Sequence, residues 1–155
     1  MVDYASIISD AECVDVFLQP TSVVLPTDTF VINFLKDGSL ISFHSYSLVR
    51  MIHKDRIIYT VTDHYLNRAG NSWRKGQGKL STLTYPLLKT CLIGRKITSL
   101  QCKKWGDVSM FFENGAILEF LVDATKALQE EEVHRIIVFE SNRLSPSKHY
   151  ILKKC

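Results

Sequence analysis

Five histidines and one pair of carboxylates are the side chains best suited to catalysis or metal binding in this 155-residue chain. The histidines are His44, His53, His64, His134 and His149. None of their spacings is that of a metal-binding helix, and the sequence has no C-x-x-C pair, so we predict no metal site. The sequence also lacks a G-x-S-x-G elbow and a P-loop. We therefore expect structural histidines, no cofactor and no enzymatic activity.

The carboxylate pair consists of Glu113 and Glu119, which flank an Asn-Gly turn. A general acid and a general base would need such a pair to face one reacting group. The alternation of residues around the turn instead places both as ordinary solvent-facing strand residues. The sequence thus favours a role in binding over a role in catalysis.

A basic segment is the strongest chemical feature of the chain. Residues 64–106 contain nine basic and no acidic side chains. Basic residues contact phosphates, and an exposed aromatic ring can stack on bases. The candidate anion-binding residues are Arg68, Trp73, Arg74, Lys75 and Lys79. A nucleic-acid or anionic-ligand module in residues 64–104 is one interpretation, although the pI of about 8.7 lies below the value typical of nucleic-acid-binding domains.

An acidic segment follows directly, because residues 107–140 contain eight acidic side chains and two basic ones. Three consecutive glutamates fall in the last turn of a predicted helix, where the helix dipole disfavours carboxylates. An unfavourable position of this kind suggests that the acids serve a partner. The candidate partner-binding residues are Glu113, Glu119, Asp123, Glu130, Glu131 and Glu132.

Two similar hairpins must position these side chains. VINFLKDGSLISF at 31–43 aligns with VSMFFENGAILEF at 108–120, and Asp-Gly and Asn-Gly predict a type I′ turn in each. The aligned pairs are Val31 with Val108, Phe34 with Phe111, Gly38 with Gly115, Leu40 with Ile117, and Phe43 with Phe120. Alternation places Ile117, Glu119 and Leu121 on one side of the second hairpin and Leu118, Phe120 and Val122 on the other. This pattern predicts a half-buried antiparallel sheet. We interpret the alignment as an internal duplication.

The segment 45–55 starts with serines that can cap a helix, and the segment 123–133 starts with Asp123, so we predict a helix after each hairpin. The unit is then β-β-β-α-β, repeated at 20–63 and 95–141 and joined by a basic linker at 64–94 that holds a strand at 80–85. HYILKK at 149–154 predicts a last strand. The predicted fold is α+β and mainly antiparallel, a curved sheet or partly open barrel in a single domain over 1–155.

Composition limits the class of protein. Hydrophobic residues make up 46% and charged residues 23% of the chain, as in globular proteins. No run approaches the roughly 20 apolar residues of a membrane span, and the N-terminus lacks the basic and apolar regions of a secretory signal. Four cysteines without a paired motif predict reduced thiols. We expect a cytoplasmic protein that does not insert into membranes.

The second half resembles the small β-rich immunity proteins of bacterial polymorphic toxin systems, including contact-dependent growth inhibition. The resemblance covers about the last 60 residues. It is carried by Gly94, Ile97, Leu100, Val108, Phe111, Asn114, Gly115, Ile117 and Phe120. It implies a non-enzymatic cytosolic antitoxin that binds the C-terminal domain of one cognate toxin and blocks it.

Charge suggests two alternative contact surfaces for such a toxin. Many toxins of this kind are nucleases with basic clefts, and an inhibitor of a basic cleft should present clustered carboxylates. This argument favours the acidic residues named above. An acidic toxin would instead contact the linker around Arg74 and Lys75. Monomer and homodimer are both compatible with the sequence.

Overall fold

A computed structural model of the protein describes residues 3–19, 29–64, 81–103, 106–122, 134–140 and 148–152. These residues form two α-helices, one 3-10 helix and ten β-strands. The helices are α1 (Tyr4–Ile8) and α2 (Ser81–Leu92), and the 3-10 helix spans Val61–His64. The strands are β1 (Glu12–Gln19), β2 (Thr29–Lys36), β3 (Ser39–Ser45), β4 (Leu48–His53), β5 (Arg56–Thr60), β6 (Ile97–Cys102), β7 (Val108–Phe112), β8 (Ile117–Leu121), β9 (His134–Phe139) and β10 (Lys148–Leu152).

The strands form two five-stranded sheets, and every strand pair within them is antiparallel. The first sheet has the order β1-β2-β3-β9-β10, and the second has the order β5-β4-β8-β7-β6. The predicted antiparallel α+β architecture and the last strand are therefore confirmed. Of the two predicted forms, the single curved sheet is wrong, because the described strands form two separate sheets.

One hydrophobic core lies between the two sheets. Phe30 of β2 contacts Phe120 of β8, with 5.7 Å between ring centroids, and also lies 6.4 Å from Tyr59 of β5. Four residues along the same strand, Phe34 lies 6.4 Å from Phe112 of β7. Strand β2 thus meets successive strands of the opposite sheet, so the strands of the two sheets cross rather than run side by side.

The predicted helix at 45–55 is wrong, because this segment forms β4. Val49 and Met51 are buried while Leu48 and Arg50 face outward, which is the two-residue period of a strand. Strand β4 begins only three residues after β3 ends, and this sharp corner carries the chain from the first sheet to the second. The serines that suggested a helix cap bond to each other and to backbone at that corner. The second predicted helix, 123–133, lies outside the described residues.

The predicted strand at 80–85 is also wrong, since α2 begins at Ser81. Leu88 and Leu92 are fully buried four residues apart, the spacing of one helix face. Pro86 within the helix made the segment unlike a helix in sequence, because proline removes a backbone donor. The predicted linker 64–94 therefore contains a helix, and its residues 65–80 lie outside the described residues.

The two predicted hairpin turns differ from each other. Asp37 and Gly38 both have positive φ, at 50° and 76°, which confirms a type I′ turn. In the second hairpin Gly115 N–H donates to Phe112 O at 2.9 Å, and Gly115 has positive φ while Asn114 does not. The type I′ prediction is wrong there. The Asn114 side chain instead bridges Cys91 O and Ala116 N, which holds a turn one residue longer.

That extra residue changes which side chains are equivalent. From the glycines onward the alignment holds, because Phe43 and Phe120 are both buried in the core. Before the turn it fails, because Phe34 is buried in the core while Phe111 lies on the outer face of its sheet. A shift of one residue moves a strand residue to the opposite face. The aligned pairs Phe34–Phe111 and Val31–Val108 are thus not structurally equivalent.

The two halves of the chain share one element order and exchange their last strands. A helix precedes β1-β2-β3 and another precedes β6-β7-β8, while β9-β10 extend the first sheet and β4-β5 the second. At the junction, Asp10 N–H donates to Ile97 O at 2.9 Å, and reciprocally Gly94 N–H donates to Cys13 O at 2.8 Å. Strands β1 and β6 therefore join the sheets at one corner around the Glu12–Lys96 bridge.

A third hairpin turn gives a test of backbone strain. Lys54 and Asp55 form the two-residue turn between β4 and β5 with φ of 51° and 58°, although neither is glycine. Since a type I′ turn favours Asn-Gly, the double variant K54N/D55G should raise the free energy of unfolding by about 1 kcal/mol. Urea denaturation measures the change, with Gly38→Ala as a control expected to lower stability. A destabilised double variant would contradict the turn assignment.

Three cysteines fall within the described residues, and all are free thiols. Cys91 lies in α2 and Cys102 lies at the end of β6. No disulfide joins any two of the three described cysteines. Burial raises the pKa of the Cys13 thiol to about 12, which keeps it protonated and unreactive. Neither described helix has the length and apolarity needed to cross a membrane.

Candidate partner-binding face

The predicted acidic residues do not form one cluster in the described structure. Glu113 is exposed in the β7–β8 turn, where its carboxylate accepts a hydrogen bond from Lys96 N–H at 3.2 Å. Glu119 lies in the middle of β8, between Arg50 of β4 and Ser109 of β7. Asp123, Glu130, Glu131 and Glu132 lie outside the described residues.

Glu119 is paired with a basic residue that sequence reasoning had not linked to it. The Arg50 Nε donates to a Glu119 carboxylate oxygen at 2.6 Å, and the two side chains are 39% and 14% exposed. Cross-strand neighbours of opposite charge stabilise a sheet modestly. The pair also neutralises Glu119, so this carboxylate does not offer a net negative charge to a partner.

A row of apolar side chains crosses the outer surface of the second sheet beside this ion pair. Ile57, Ile52, Ile117 and Phe111 are successive cross-strand neighbours on β5, β4, β8 and β7. Ile57 is 56% exposed and the other three are partly exposed. An antiparallel sheet that faces water usually carries polar side chains there, so a continuous apolar row marks a candidate contact surface.

Leu48 and Leu121 form a further apolar pair on the opposite side of the ion pair. Leu48 is 39% exposed and Leu121 partly so. Along β4 and β8 the ion pair therefore lies between two apolar pairs, Ile52 with Ile117 on one side and Leu48 with Leu121 on the other. We call this surface the second-sheet face. It comprises Leu48, Arg50, Ile52, Ile57, Phe111, Ile117, Glu119 and Leu121.

Sequence reasoning found three of the eight residues of this face. Alternation along β8 correctly separated Ile117, Glu119 and Leu121 from the buried Leu118 and Phe120. The β4 residues were missed because their segment had been interpreted as a helix. The alternation of Val49 and Met51 with charged or exposed neighbours was the signal that could have found them.

The candidate anion-binding residues Arg68, Trp73, Arg74, Lys75 and Lys79 lie outside the described residues. Tyr85, an aromatic residue of the same basic region, is described. Its hydroxyl donates to Val16 O at 3.0 Å, and its ring lies 6.3 Å from Tyr59 and under Lys89. Since the ring packs on the protein itself, Tyr85 is not a surface for stacking bases.

A serine and a histidine do meet, but inside the protein. The Nδ1 of His134 lies 2.9 Å from Ser45 Oγ, and its Nε2 lies 2.9 Å from the carbonyl oxygen of Gly106. Because a carbonyl only accepts, Nε2 carries the proton and the Ser45 hydroxyl donates to Nδ1. Both residues are almost fully buried, so no substrate reaches them. This pair stabilises the corner between β3 and β4.

Burial also sets the charge of this histidine. Desolvation lowers the pKa of His134 to about 4, although the Gly106 hydrogen bond and the nearby Asp107 act in the opposite direction. The ring packs on Phe43 and Phe120 at 5.7 and 6.0 Å between centroids. His134 is therefore a neutral core residue at pH 7, as the sequence predicted for its structural role.

A second serine and histidine lie on the face of the first sheet that points away from the core between the sheets, where Ser42 is itself buried. Ser42 Oγ donates to Asn33 Oδ1 at 2.6 Å, and His44 Nε2 lies 2.9 Å from the same hydroxyl. A nucleophilic serine must give its proton to the histidine. Here the proton points to Asn33, so the arrangement is a polar cross-strand cluster without an activated nucleophile.

Among the described residues, no three His, Cys, Asp or Glu side chains lie together as a potential metal site. No protein-family model, no curated protein and no solved structure matches the chain. The function is accordingly argued from the residues and the geometry above.

Proposed function

We propose that this chain is a bacterial cytoplasmic immunity protein that binds and neutralises the C-terminal domain of a cognate toxin, which we expect to be a nuclease. The resemblance of the second half to such proteins suggests the partner class. The observation that carries the proposal is the second-sheet face, where an apolar row and an internally neutralised ion pair lie on an antiparallel sheet. Apolar contacts around a central arginine are typical of the energetic centre of a protein interface.

The described structure changes how such a partner would be recognised. The charge of Glu119 is balanced by Arg50, so among the described candidates only Glu113 offers an exposed carboxylate. We therefore propose a contact with an apolar centre on the second-sheet face, with charge contributing at its border. Charged residues at a border chiefly raise the association rate.

We also propose that the two halves are copies of one scaffold. Their shared element order and the reciprocal hydrogen bonds around Glu12 and Lys96 support this proposal. Both halves contribute to the second-sheet face, because β4 from the first half and β8 from the second half lie side by side in it.

Co-expression tests the proposed function. The proposal predicts a gene for a large toxin directly upstream of the gene for this chain. The tagged chain is produced with the C-terminal domain of that toxin, and growth and co-purification are measured. We expect restored growth and a stable complex. Recovery of nucleic acid alone, with affinity that falls steeply as salt rises, would contradict the proposal and favour the anion-binding module in residues 64–104.

A further inference from the structure

The order of charges on the second-sheet face suits a second copy of the same chain. Across the sheet, Glu119 of β8 and Arg50 of β4 are direct neighbours, and Ile117 and Ile52 are direct neighbours in the next row. Two copies can be related by a two-fold axis that lies in the contact plane, parallel to the strands and midway between β4 and β8. This symmetry places each row of one copy over the same row of the other copy, with the order of its residues reversed. Glu119 then faces Arg50 of the other copy, and Arg50 faces Glu119.

The apolar side chains are complementary under the same symmetry. Ile117 faces Ile52 of the other copy, Leu121 faces Leu48, and Phe111 faces Ile57, so the aromatic ring meets a smaller aliphatic side chain. An isologous interface needs this self-complementarity, in which residue i contacts j and j contacts i. We propose that the free protein forms a two-fold dimer through the second-sheet face.

The size of the face sets the strength expected of this dimer. Four strands spaced about 4.8 Å apart, with three rows of outward side chains, cover a patch roughly 20 Å on each side. This is smaller than the about 800 Å² per partner of a standard interface. The dimer is therefore weak and concentration-dependent, with a Kd above about 1 µM. A toxin that covers the same face must displace the second copy.

Charge reversal separates the contact between copies from the ion pair within one copy. Variant R50E places two glutamates at the face, and variant E119R places two arginines there. Each variant alone should dimerise at least about tenfold more weakly than the wild type. An equimolar mixture of the two should form the heterodimer, because every Glu then faces an Arg across the axis.

Native mass spectrometry and analytical ultracentrifugation of the full chain, from 5 to 500 µM, measure the three associations. Circular dichroism verifies that the variants are folded. If either charge variant is unfolded, I52T/I117T replaces it and should weaken the dimer, while L87S on the exposed side of α2 should leave it unchanged.

A wild type that is monomeric throughout overturns the proposal, as does a mixture that associates no better than its components. The test uses the chain alone, so its failure leaves the toxin-binding proposal standing.

Discussion

Replacing Phe120 with alanine should lower the free energy of unfolding by about 3–5 kcal/mol. The ring is fully buried between the sheets and lies 4.8 Å from Phe43 and 5.7 Å from Phe30. Its removal leaves a cavity where both sheets meet, and the crossing strands limit how far the neighbours can relax. Urea denaturation followed by circular dichroism gives the change.

Phe111→Ala is the matched control for this prediction. It removes the same side chain from the neighbouring strand of the same hairpin, but from the outer face, where Phe111 is only partly buried. We expect less than half the loss seen for Phe120→Ala, because less apolar area is removed from the interior. Equal losses would contradict the assignment of the two rings to opposite faces.

The second large effect is a loss of stability in acid caused by His134. In the unfolded chain this histidine binds a proton below about pH 6.5, whereas in the folded protein its pKa is about 4. Between these pH values the unfolded state binds more protons than the folded state. The free energy of unfolding therefore keeps the full contribution of His134 above about pH 6.5 and falls as the pH approaches 4. This pKa shift corresponds to a decrease of about 3 kcal/mol in the free energy of unfolding.

The variant H134Q isolates this contribution, because carboxylates elsewhere titrate equally in both proteins. Denaturation at pH 7 and at pH 4 should show that the wild type loses about 3 kcal/mol more than the variant over this interval. The variant itself should be less stable at pH 7, since Ser45 and the Gly106 carbonyl lose a partner. Identical pH profiles would show that His134 is not the neutral, desolvated group described above.

The sequence predicted the fold best where local chemistry determines it. Asp37-Gly38 fixed a turn through positive φ, and the alternation along β8 placed Leu118 and Phe120 in the core. It failed where tertiary contacts override local signals. The segment of β4 has capping serines before it, but its residues complete a sheet with β8, which is 69 residues further along the chain at the Arg50–Glu119 pair.

The candidate site was predicted in part for the same reason. Glu119 was recognised as a surface residue of β8, but its neutralising partner belongs to the other half of the chain. No local pattern predicts that β4 and β5 leave the first sheet after Ser45 and join the second. The one-residue difference between the hairpin turns was also hidden, because both turns contain a glycine preceded by Asp or Asn. That difference alone moved Phe111 onto the outer face.

The affinity of the chain for the proposed toxin domain tests the central claim that the second-sheet face binds the partner. Ile117→Arg places a charge at the centre of the apolar row, and Leu87→Arg makes the same change on the exposed side of α2, where Leu87 is 50% exposed. Isothermal titration calorimetry with both variants, after folding is verified, should show at least about 30-fold weaker binding for Ile117→Arg. Binding by Leu87→Arg should equal that of the wild type. Unchanged affinity of Ile117→Arg would contradict the account.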